Sequence, residues 1–181
     1  MKQIIRLIIV MFVFLNSTNS LYSQKCKYYV DESDPITGEE HKAINTLVKI
    51  AHPFNFSQIG AWGIDFDRIG DKYSIISRLV IENDINEQIQ RGDSLLIKLD
   101  SGKIITLYSN SAVSPKSLND PNEKAKKNYI STYPISKDDF ALLCTNEIVF
   151  LRINVSQVVF DLEVEGKQIK KLQEAAKCIF K

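Results

Sequence analysis

Two apolar runs, 95–99 and 104–108, flank the tetrapeptide Asp100-Ser101-Gly102-Lys103. Leu95, Ile97 and Leu99 alternate with Leu96, Lys98 and Asp100, and Ile105 and Leu107 continue that period of two on the return. Side chains of a pleated strand repeat with this period, so the pattern predicts a β-hairpin over 94–110. A type I turn over Asp100-Ser101 needs a left-handed residue after it, and Gly102 takes a positive φ without a Cβ clash. Aliphatic residues on both faces predict inner strands, covered on one side and partly on the other. These residues build a core and hold no reactive group.

The first residues constrain where the chain goes. Lys2 and Arg6 precede and interrupt an apolar run over 4–15, which ends at Asn16-Ser17-Thr18-Asn19-Ser20. A charged start, a short apolar segment and small polar residues form the three-part pattern of a secretory signal peptide, whereas a spanning helix needs about 20 apolar residues. The expectation is a signal peptide over 1–24, a single mostly-β domain over 25–181, and no stable membrane span after processing. Thr18 and Ser20 suit a cut before Leu21, and the mature start is expected between Leu21 and Lys25. Lys25 argues against lipidation of Cys26, since lipoprotein processing wants a small residue there. The expected location is the periplasm or the extracellular space.

Charge then excludes some partners. The chain has 23 basic and 22 acidic residues; losing Lys2 and Arg6 leaves 21 basic against 22 acidic, a net charge of about −1. A chain this close to neutrality, with its lysines interleaved with acids, has no electrostatic reason to bind nucleic acid or anionic lipid.

Three cysteines, Cys26, Cys144 and Cys178, follow the signal segment. In an oxidising compartment a pair normally bridges, and Cys26 and Cys178 stand at opposite ends of the domain, where termini often meet. Cys144 follows Phe140-Ala141-Leu142-Leu143 and reads as a buried small hydrophobe. Other pairings, or no bridge, stay open, because connectivity is not encoded in spacing. Cys178 also lies off the Ile169 and Ile179 stripe, near Lys171 and Glu174, so a bridge requires the first strand to pass beside the last helix and not beneath it.

Taken in order, 26–30 predicts a short strand and Asp34-Pro35 and Thr37-Gly38 a turn; over 41–51 the spacing of Ile44, Leu47 and Val48 also fits a helix, but the alternating β-branched Thr46, Val48 and Ile50 favour a strand. Trp62, Ile64 and Phe66 alternate with Gly63, Asp65 and Asp67, the pattern of a half-exposed strand, and 73–81 returns from a turn at 68–72. Residues 109–127 read as a long polar loop, the segment most able to move. A further strand is expected over 128–135. Ser136 and Asp139 form a capping pair for a short helix near 137–144. Strands over 147–155 and 158–165 follow, and after Gly166 comes a helix over 167–179 with Ile169, Leu172, Ala176 and Ile179 on one face. The fold class is α+β, mainly antiparallel: a sandwich or half-barrel of about eight strands with two helices.

The chain also resembles a group of uncharacterised small secreted proteins of Gram-negative bacteria. The resemblance rests on a Cys-x-Tyr start (Cys26, Tyr28), an acidic turn ending in Thr37-Gly38 and a Gly-Asp-x-Leu strand entry (Gly92, Asp93, Leu95). Tyr133, Ile135 and Ser136, then Ile148, Arg152 and Ile153, and a terminal Cys178-Ile179 complete it. It implies secretion and a single domain, and no established activity.

Residues able to do chemistry are sparse. The two histidines, His41 and His52, show no metal-ligand spacing. Asp65-x-Asp67-x-Ile69-Gly70 opens like a calcium loop, yet isoleucines fall at the third ligand position, Ile69, and at the bidentate position, Ile76. Ser74, Ser77 and Ser131 have no histidine near them in sequence, and the glycines form no phosphate-cradling loop. No catalytic, cofactor-binding or metal residue is assigned. The leading expectation is a secreted or periplasmic, non-enzymatic domain with a binding or structural envelope role. Its partner would be a protein or glycan, met through Trp62 or the 109–127 loop. The alternative is a non-standard hydrolase using Asp65, Asp67 or Glu147 in a cleft, served by His41 or His52.

Overall fold

Strand order divides the sheet structure in two. The computed structural model describes residues 26–50, 59–82, 87–118 and 126–181, without the side chains of Lys49 and Ile50; the expected signal segment and His52 lie outside the described residues. Six strands form one curled, half-barrel sheet: β1 (Val30–Ser33), β2 (Glu40–Ile50), β3 (Ile59–Ile69), β4 (Lys72–Ile81), β8 (Lys126–Ile135) and β7 (Lys116–Leu118), in that spatial order. Four form the second: β10 (Val158–Glu163), β9 (Ile148–Val155), β5 (Ser94–Leu99) and β6 (Ile104–Tyr108). Every strand pair is antiparallel. Helix α1 (Lys137–Thr145) joins β8 to β9, and α2 (Lys167–Phe180) follows β10.

The β5–β6 hairpin and its turn are as the sequence predicts, but only β5 is an inner strand: β6 is the edge of the four-stranded sheet, and its outward face is exposed. Gly102 has φ +84°, its N–H donates to the Leu99 carbonyl at 2.9 Å, and Leu99 N–H donates to the Lys103 carbonyl at 2.9 Å. Leu95, Ile97, Leu99, Ile105 and Leu107 are buried, while Ile104 and Tyr108 on the other face are exposed. Asp100 ties the turn to the start of β9, its Oδ1 accepting from the Glu147 N–H at 3.1 Å.

Both helices dock because their patterns give them one apolar face. Ser136 caps α1: its hydroxyl accepts from the Asp139 N–H at 3.1 Å and donates to the Asp139 carboxylate at 2.9 Å. That bond, then Lys103 at 3.1 Å, holds the Asp139 carboxyl below its ordinary range. Helix α2 buries Leu172, Ala176 and Ile179, and burial of each of the two large aliphatics, Leu172 and Ile179, is worth about 1.5–3 kcal/mol relative to exposure. Phe140 of α1 stacks with Phe180 of α2 and meets Tyr73 of β4 at a 4.8 Å centroid separation, with Phe66 edge-on at 5.8 Å. One aromatic contact therefore joins two helices to the six-stranded sheet.

Cys26 and Cys178 form a disulfide with a Cα separation of 5.8 Å, and Cys144 is free and buried. Tyr28 Oη donates to the Cys178 carbonyl at 2.9 Å, so the first residues run beside the last turn of α2.

Three further details differ from expectation. The first strand is β1, not 26–30: the bridge holds Cys26 against α2, and backbone bonding to β2 starts only at the Tyr29 N–H, which donates to the Ala43 carbonyl at 3.0 Å. There are ten strands among the described residues, not about eight. Part of the 109–127 loop is pinned: Ile89 and Val113 exchange two backbone bonds at 3.0 and 2.8 Å, and β7 pairs with β8.

Candidate binding groove

Asp65 and Asp67 do not lie on a solvated strand face. β3 is third of six strands, and its outward side chains are covered by those of β2 and β4; Asp65 is wholly buried and Asp67 nearly so. Asp65 Oδ1 accepts from Asn45 Nδ2 at 2.6 Å, and Oδ2 accepts from Arg78 Nε at 2.6 Å and from Tyr29 Oη at 3.2 Å. Burial alone would lower the Arg78 guanidinium; the Asp65 carboxylate reverses this and raises it. Burial first, then the Asp65 charge, raises the Tyr29 phenol.

The neighbouring carboxylate is equally occupied. Asp67 Oδ1 bonds His41 Nε2 at 2.8 Å, and Oδ2 accepts from Ser74 Oγ at 3.0 Å. The acid stands between imidazole and hydroxyl, so His41 is not aimed at Ser74, and the relay order of a nucleophilic serine is missing from this trio. Asp65 and Asp67 stand two strand residues apart, about 6.6 Å, a spacing that suits paired acids. Their oxygens are nonetheless filled by fixed donors: Asn45 and His41 tie β3 to β2, Arg78 and Ser74 tie it to β4, and Tyr29 ties it to the segment before β1. Residues 65–69 are strand, which cannot wrap an ion as a calcium loop does.

Trp62 corrects a second expectation. It is fully buried, with Nε1 donating to Ser77 Oγ at 2.9 Å, so it offers no face to a partner. Its neighbours in sequence alternate, but both faces of β3 are covered there. Glu147 stands at the mouth of β9, where its backbone and not its carboxylate is used.

A groove of about 620 Å³ opens elsewhere, between α2 and β2, with the disulfide at one end. Lys167, Gln168, Lys171, Glu174, Ala175 and Cys178 line it from the helix, spaced as one continuous helical face. At about 1.5 Å rise per residue that face runs about 16 Å, the length of about five extended residues. Ile44, Asn45, Thr46 and Leu47 line the strand side, and Cys26 and Lys27 close the end. None of Asp65, Asp67 or His41 reaches it.

The strand side of the groove is an open sheet edge. β1 pairs with β2 only over 40–43. Gly70 N–H donates to the Glu40 carbonyl and Tyr29 N–H to the Ala43 carbonyl, so even-numbered residues of β2 turn their backbone groups to β3 and odd-numbered ones outward. Asn45 and Leu47 therefore present N–H and C=O along the edge, and no described backbone pairs with them there.

Its charge is one-sided. Lys27, Lys167 and Lys171 face the groove against Glu174, and none of the three makes an ion pair among the described residues. Lys167 and Lys171 crowd the N-terminal end of α2, which has no acidic residue in its first turn and no side-chain cap at Gly166. Lys167, in the first turn, opposes the helix dipole at a cost of a few tenths to about 1 kcal/mol. Gln168 Oε1 is buried with no hydrogen-bond donor from the protein.

Sequence reasoning missed this place. The signal available was conditional: once Cys26 is bridged to Cys178, Lys27 is tied to the helical face that carries Lys171 and Lys167, about two and three turns away. Compared with family models, curated proteins and solved structures, the chain has no match.

Proposed function

We propose that this chain is an exported binding domain that holds a segment of a partner protein in the groove between α2 and the open edge of β2. The observation that carries this reading is the pairing of three un-neutralised lysines with two outward-facing backbone residues in one cleft. The Cys26–Cys178 bridge supports the cleft, fixing its closed end to the helix. It also supports export, since disulfides persist in oxidising compartments, and no helix among the described residues is long and apolar enough to cross a membrane. A partner protein, rather than a glycan, suits an edge that offers backbone hydrogen bonds.

Panning a displayed random-peptide library on the disulfide-bonded protein tests the binding role. Enriched peptides that bind the wild type and are lost by Lys171→Glu support it; no enrichment, or peptides indifferent to that change, contradicts it. Export is read by mass spectrometry of the secreted or periplasmic fraction, which should find a first residue between Leu21 and Lys25 and not Met1.

A further inference from the structure

Resting on that reading of the groove, we propose that its occupant is an acidic segment in extended conformation, added to the six-stranded sheet as a strand along β2 beyond the end of β1. The backbone supplies the first half of the argument. β1 leaves the β2 edge after Ala43, while Asn45 and Leu47 go on presenting donors and acceptors in the same row, so a further strand continues an existing ladder. The row stops at a register shift between Leu47 and Lys49, which limits the site to a short segment.

Charge and face supply the second half. On a strand lying there, alternate side chains point inward to α2 and outward to solvent. The inward side meets Lys167, Lys171 and Lys27, where a carboxylate would gain partners and relieve the clustering of like charge at the helix start. The outward side lies beside Leu47 and Tyr29, both 40–50 % exposed, and suits an apolar residue (42 % and 49 %). The segment is therefore one in which acidic and apolar residues alternate.

Fluorescence anisotropy on the disulfide-bonded protein tests this with labelled hexapeptides of defined pattern: alternating Val-Glu, its block isomer Val-Val-Val-Glu-Glu-Glu, alternating Val-Lys and alternating Val-Gln. Two further probes carry N-methyl groups on the valines or on the glutamates of the alternating acidic peptide. The expected result is that alternating Val-Glu binds at least about tenfold tighter than the block isomer and than the basic and neutral peptides, and that one N-methylated form loses binding while the other keeps it, because alternate amides face β2. Lys171→Glu should abolish the preference and Lys171→Arg keep it. Equal binding of alternating, block and both N-methylated acidic peptides overturns strand addition and leaves a plain anion groove. Equal or tighter binding of the neutral or basic peptide overturns the acidic occupant while the binding reading stands. Failure of every probe, together with a library that yields no peptide sensitive to Lys171→Glu, overturns both.

Discussion

Asn45 and Asp65 face each other across β2 and β3, and the amide of the first donates to the carboxylate of the second at 2.6 Å. This bond, with Arg78 on the other oxygen, makes a buried acid the tie between three strands. The two charges are not equivalent: Asp65 is wholly buried, whereas the Arg78 side chain is 39 % exposed. Arg78→Met leaves a carboxylate uncompensated in the sheet, while Asp65→Asn leaves a guanidinium free to turn to water. Arg78→Met is expected to cost about 2–3 kcal/mol, and Asp65→Asn less. Urea denaturation of the two variants checks the order; equal losses would mean that the tie is held by Asn45 and Tyr29 alone.

Gly102 needs its positive φ but has open space around it, with nothing within 4 Å of an added Cβ. The cost of substitution is thus backbone strain and not a clash. Gly102→Val should lose about 1–3 kcal/mol and Gly102→Asn clearly less, since asparagine tolerates the left-handed region. Similar melting temperatures for the two would contradict this.

The bridge spans 152 residues. Loop-closure entropy for that length gives up to about 5 kcal/mol. Cys26→Ser with Cys178→Ser should lower the unfolding free energy by several kcal/mol in oxidising buffer and bring no further loss on adding reductant. Non-reducing peptide mapping should recover Cys144 alone as the alkylated thiol.

Alkaline pH should unfold the protein from inside. Burial pushes the Tyr133 phenol up to about 12 and the Cys144 thiol up to about 11. In an unfolded chain these groups ionise near 10 and 8.5. Raised folded values mean that their contribution is whole below the unfolded values and is lost as pH rises through the folded ones. Tyr133→Phe removes the phenol's share, so its urea midpoint should fall less steeply than the wild type's between about pH 10 and 12. Identical slopes would show that the phenol does not ionise with unfolding.

Local rules reached far into this fold. The Gly102 hairpin, the Ser136 cap and the α2 stripe each depend on residues within a few positions of one another, and the position of Cys178 beside Lys171 and Glu174 follows from helical spacing alone. What escaped depends on neighbours distant in sequence. Asp65 and Asp67 alternate with apolar residues as solvent-facing acids do; only the arrival of Asn45, His41, Ser74 and Arg78 from flanking strands makes them buried. Trp62 lies on the apolar face of an alternating strand, and alternation alone does not distinguish a face that packs inside the fold from one that meets a partner. The groove exists only because α2 docks beside an edge that β1 leaves uncovered, a relation that no local pattern holds.

Amide hydrogen exchange along β2, with and without the alternating Val-Glu hexapeptide, tests the central claim most directly. Occupation of the groove as an added strand predicts that the Asn45 and Leu47 amides become protected on binding, while Ile44 and Thr46, already turned to β3, change little. Binding that leaves the Asn45 and Leu47 amides exchanging as in the free protein would contradict it.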